Sequence, residues 1–101
     1  SGFTSTATKF VGTITIANIP VAPAIPTRAA AAGRISIPYN AAVGVPTLVV
    51  ELTPGTGAVA AGLPAAALTA GAPIVWGCAT GIAANASDTT VHKYVPSNCR
   101  N

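Results

Sequence analysis

The chain has 101 residues, the length of one domain; half of them are hydrophobic and only 7% are charged. An average soluble domain carries about 25% charged residues, so a chain this small cannot hide all its apolar surface inside itself, and part should be buried against something else. The net charge of +3 comes from Lys9, Arg28, Arg34, Lys93 and Arg100 against Glu51 and Asp88, and cations scattered in this way are not the clustered pattern that nucleic-acid binding needs.

Four segments alternate apolar and polar residues with β-formers, the period of a half-buried strand. The first runs from Phe10 to Ala17, with Phe10, Ile14 and Ile16 on one face and Val11, Thr13 and Thr15 on the other. Next, Ile19 to Pro26 holds Pro20, Pro23 and Pro26, an extended path that cannot be helix. Arg28 to Gly33 has room for a single helical turn. The second strand is predicted over Arg34 to Tyr39, with Ile35, Ile37 and Tyr39 opposite Arg34, Ser36 and Pro38. Pro38 has no N–H to donate, so the strand lies at an edge there or stops.

Asn40 to Pro46 reads as a turn. The third strand is Thr47 to Thr53, with Leu48, Val50 and Leu52 on one side and Val49 and Glu51 on the other. Pro54 to Ala72 reads as a long Gly/Ala connection with one helical turn at Ala65 to Ala70. The fourth strand, Pro73 to Cys78, puts Ile74, Trp76 and Cys78 on one face, Trp76 as a core residue. The tail from Ala79 to Asn101 is expected to be irregular, with Val91 to Val95 strand-like. Short connections between successive strands favour an antiparallel meander. The expected fold is therefore one mainly β domain over residues 1–101: a four-stranded antiparallel sheet across about residues 10–78, then a tail. No amphipathic helix is available to cover its apolar face.

The chemistry available is sparse. One histidine, His92, and two acids, Glu51 and Asp88, are present, and His92 with Asp88 is the one pair that proton-transfer chemistry could use; a solvated loop is the simpler reading. No catalytic residue, cofactor site or metal site is expected, since two cysteines and one histidine lack the paired short spacings of a zinc centre. Gly55 and Gly57 lack the lysine and following helix of a phosphate loop, so they read as turn residues. Asn85-Ala86-Ser87 matches a glycosylation acceptor, a short pattern with frequent chance matches. Cys78 and Cys99 are the sole cysteines; they are expected to form a disulfide, as in exported proteins. The chain has no methionine, even at position 1, which fits removal of a signal peptide. The most apolar stretch, Gly57 to Leu68, is broken by Gly62 and Pro64 and is too short to span a membrane.

From Lys9 onward the chain resembles the globular half of a type IV pilin. Lys9-Phe10-Val11-Gly12-Thr13-Ile14-Thr15-Ile16 is similar to the first sheet strand of those proteins, and Thr47-Leu48-Val49-Val50-Glu51-Leu52-Thr53-Pro54 to the third. Pro73-Ile74-Val75-Trp76-Gly77-Cys78 and Lys93-Tyr94-Val95-Pro96-Ser97-Asn98-Cys99-Arg100 are similar to the fourth strand and the end of the disulfide-closed loop. The long N-terminal helix of a complete pilin has no counterpart here, as in the split pilins of some metal-reducing bacteria. The resemblance implies a non-enzymatic subunit, exported through the periplasm to an extracellular pilus. It would form a heterodimer with a separate short helical pilin and contact neighbouring subunits of the filament. The helix would lie on the face carrying Phe10, Ile14, Ile16, Ile35, Ile37, Leu48, Val50, Leu52, Ile74 and Trp76, with the opposite face and the stapled loop outward. The alternative reading is a secreted, adhesin-like binding module that uses the C-terminal loop.

Overall fold

The computed structural model describes residues 4–8, 11–39, 48–82 and 89–100. Five strands form: β1 (Thr15–Ile16), β2 (Ile35–Pro38), β3 (Leu48–Ala60), β4 (Leu63–Ala66) and β5 (Val75–Ile82). β1, β2, β3 and β5 pair in that order as a four-stranded antiparallel sheet, and β4 pairs with the far end of β3 as a hairpin. Two short 3-10 helices, Thr89–Tyr94 and Ser97–Cys99, follow. No α-helix occurs among the described residues.

Several expectations change in extent. β1 keeps only two residues of the predicted first strand. Upstream of it the pairing is interrupted, the Ile14 N–H donating to Ser5 Oγ at 2.9 Å, and it resumes one residue out of step, with the Gly12 N–H donating to the Pro38 carbonyl at 2.7 Å and Val11 bridging Tyr39. Phe10 lies outside the described residues. β2 ends at Pro38, but it is an inner strand flanked by β1 and β3, and the Tyr39 N–H beyond it still donates to the Leu48 carbonyl at 2.7 Å, so the proline makes neither an edge nor a break in the pairing with β3.

β3 runs through Pro54 to Ala60, where a loop is expected, and β4 takes the first two residues of the expected helical turn at 65–70, the rest of which is irregular. The reason is local turn chemistry. Ala61 and Gly62 both have positive φ, 53° and 77°, between the paired Ala60 and Leu63. That is the backbone of a two-residue hairpin turn whose twist suits the strands it joins. Gly57, at φ 85°, marks a bulge: Thr56 faces Ala66, yet Val59 already faces Pro64. β5 continues four residues past Cys78, so the disulfide leaves the strand in its middle, not at its end. The segment Val91–Val95 is 3-10 helix and bend, not strand.

Residues opposite one another in an antiparallel pair share a face. Ile16, Ile35, Leu52 and Cys78 therefore form one row across the first face, Ile37, Val50 and Thr80 the next, and Pro54 with Trp76 lie beyond. Thr15, Ser36, Glu51 and Ala79 form a row on the second face.

The second face, expected to look outward, is closed in two places. The β3–β4 hairpin curls back over one end, so close that a Cβ on Gly77 would sit 2.1 Å from the Gly62 carbonyl oxygen. Toward β2, Arg34 is 7% exposed beneath the Thr27–Arg28 backbone. The apolar core is small: Leu48, Ala79, Val91 and Val95 are its buried members, with Tyr39 packed against Leu48 and Val91.

Candidate partner-binding face

The apolar alternation read from β1, β2, β3 and β5 converges on the first face. Register places Ile16, Ile35, Ile37, Leu48, Val50, Leu52 and Trp76 there together. Ile14 and Ile74 match its parity but lie just outside the strands. Among the described residues the cover of this face is incomplete and thins toward Ile74 and Trp76. Ile16, Ile35, Ile37, Val50 and Leu52 are only partly buried. Ile74 is 58% and Trp76 51% exposed. Trp76 is thus no core residue of this chain; its cross-strand neighbour is Pro54, and the tail packs elsewhere.

The tail covers the other end of the same face, contrary to the expectation that the stapled loop looks outward. Cys78 and Cys99 are joined with an S–S distance of 2.01 Å. Because Cys78 and Thr80 share this face by register, the bond draws the tail onto it. Thr80, fully buried, donates its Oγ1–H to the Cys99 carbonyl at 2.9 Å, and the Arg100 Nε–H donates to the Val95 carbonyl at 3.0 Å. Val91 and Val95 then pack inward, and a groove of about 430 Å³ remains between tail and sheet. Tyr39, Leu48 and Val50 form its sheet wall, and Tyr94, Val95, Pro96 and Cys99 its tail wall. Tyr39 shares the strand alternation of Ile35 and Ile37; Tyr94 lies in a 3-10 helix, where no periodic pattern announces it.

Polar chemistry concentrates on the second face. The Arg34 Nε–H donates to Thr53 Oγ1 at 2.9 Å, its Nη1–H to the Arg28 carbonyl at 3.0 Å and its Nη2–H to the Thr27 carbonyl. Glu51 lies 3.7 Å from Nη1. Burial lowers the pKa of this guanidinium; Glu51 opposes that shift, and nearby Arg28 adds to it. Every donor group thus has a structural task, locking the Thr27–Gly33 segment to β3. His92 buries its Nε2 with no partner; Asp88 lies outside the described residues. Among the described residues no group of three or more His, Cys, Asp or Glu could hold a metal ion, and no helix is long and apolar enough to cross a membrane.

No protein-family model matches the chain, and neither a curated protein nor a solved structure is significantly similar to it.

Proposed function

We propose that the chain is a structural subunit of an extracellular type IV pilus, pairing its sheet with the helix of a separate short pilin. The observation that carries this reading is the incompletely covered first face. Five aliphatic side chains on three adjacent strands are left partly buried, with Ile74 and Trp76 open at the margin. An apolar sheet face needs a covering layer, and an amphipathic helix presents one apolar stripe of suitable width. The resemblance of the strand and tail segments to those of pilin heads supports the filament part of this reading, and the incompletely covered face supports the covering helix.

The tail modifies the docking geometry. Because the tail occupies the face near Leu48 and Thr80, the helix lies over Ile16, Ile35, Leu52 and Trp76, with the tail as a rim. Production of the chain alone and with candidate short pilins tests this. Co-purification in a defined ratio, with new hydrogen-exchange protection in β1–β3, is the expected result. A chain that stays monomeric and acquires no protection beside any helical partner would overturn it.

The groove between Tyr39 and Tyr94 favours a second reading, a secreted binding module that takes an apolar or glycan ligand with the C-terminal loop. Aromatic walls suit such ligands. Under that reading Tyr94→Ala abolishes surface or glycan binding and leaves co-purification with a helix untouched.

A further inference from the structure

Arg28 buries its charge without an opposite one. Nη1 and Nη2 are both shielded from solvent, and neither has a hydrogen-bond partner among the described residues. Its charge acts on a second guanidinium, that of Arg34, whose pKa it helps to lower. Glu51 is the one acid among the described residues, and it is committed to Arg34 at 3.7 Å. This corner of the second face therefore holds two cations and one anion.

An arginine stays ionised in any folded protein, and an ionised group taken out of water needs both a counter-charge and hydrogen-bond acceptors. Among the described residues neither is present at Arg28. Its carbonyl accepts from Arg34, which anchors the backbone and leaves the guanidinium to point elsewhere. The four N–H bonds on Nη1 and Nη2 form a planar fork that matches two oxygens of one oxyanion. Arg28 as a whole keeps part of its surface exposed, between exposed Thr27 and Ala29.

We propose that Arg28 is the receptor for one oxyanion supplied from outside the chain, a carboxylate or a phosphate, held by Nη1 and Nη2 with Arg34 adding its positive field. The site is independent of the filament reading, which concerns the other face of the sheet.

The test is nitrogen-15 NMR of the arginine side chains in the unsubstituted protein. Sodium acetate and sodium phosphate are titrated at constant ionic strength against sodium chloride. A saturable shift of the Arg28 Nε–Hε signal, absent from Arg100, is expected with at least one anion. The melting temperature should rise along the same curve, because a ligand of the folded state stabilises it by mass action. The rise should weaken at least tenfold in apparent affinity in Arg28→Gln. Response to acetate assigns the group carried by acidic side chains of a second polypeptide, and response to phosphate alone assigns a free anion. If the Arg28 signal moves no more than that of Arg100 with either anion, the site does not exist, and the unsubstituted protein decides this even if Arg28→Gln fails to fold.

Discussion

Arg34 and Thr53 face each other across the β2–β3 pair, and the guanidinium Nε–H reaches the threonine hydroxyl at 2.9 Å in a place where both are nearly sealed from water. The same guanidinium holds two carbonyls of the Thr27–Arg28 backbone. One side chain thus fastens an irregular, proline-bearing segment to the sheet.

Removing either partner should show this. Thr53→Val leaves a buried N–H unpaired and should destabilise by about 1–3 kcal/mol. Arg34→Ala also removes the ion-pair partner of Glu51 and the donor to two carbonyls, at about 3–5 kcal/mol. Urea denaturation measures both. A cost for Arg34→Ala no greater than that of an exposed substitution would mean the segment is held by other contacts.

The disulfide closes a loop with a sequence separation of 21. Replacing both cysteines with serine should cost about 3 kcal/mol, mainly through the wider unfolded ensemble. Intact mass before and after reduction verifies the bond, and chemical denaturation of the two forms gives the magnitude.

Gly77 and Gly71 separate steric need from backbone need. A Cβ on Gly77 would meet backbone, the Gly62 carbonyl oxygen at 2.1 Å, whereas one on Gly71 meets nothing within 4 Å. Gly77→Ala must push the hairpin off the sheet and should cost about 3 kcal/mol, the upper end for overpacking. Gly71 has φ 81°, so Gly71→Ala should cost about 1 kcal/mol through strain alone. Equal melting points for the two variants would contradict the close hairpin contact.

Trp76 should matter more to association than to folding. With half its surface open, Trp76→Ala should change the stability of the isolated chain by less than about 1 kcal/mol. In complex with a helical partner the same substitution should cost about 2 kcal/mol or more, as interface tryptophans do. Denaturation of the chain alone and titration calorimetry with the partner separate the two effects.

Much of the sheet was legible in its side-chain alternation. Ile35, Ile37, Val50 and Leu52 declare their common face through period two, and register confirms it. The β3–β4 hairpin was hidden because its turn uses Ala61 at positive φ, a residue that carries no turn signal, and because Pro54 and two glycines look like a break. The buried pairing of Arg34 with Thr53 was hidden because alternation assigns a polar side chain to solvent, without regard to the loop that passes over it. The open state of Trp76 also escaped: parity says which face a residue joins, not whether anything in the chain covers that face.

The position of the disulfide has a mechanical consequence. Cys99 is bonded to Cys78 near the middle of β5, and β5 is paired along its length with β3. Tension applied near the C-terminus therefore enters the sheet directly at Cys78, bypassing every residue between the two cysteines. Both 3-10 helices and the groove wall they form are shielded from the load. To extend the residues between the two cysteines, a pulling force must break a covalent bond, and until then its load falls on the pairing of β5 with β3.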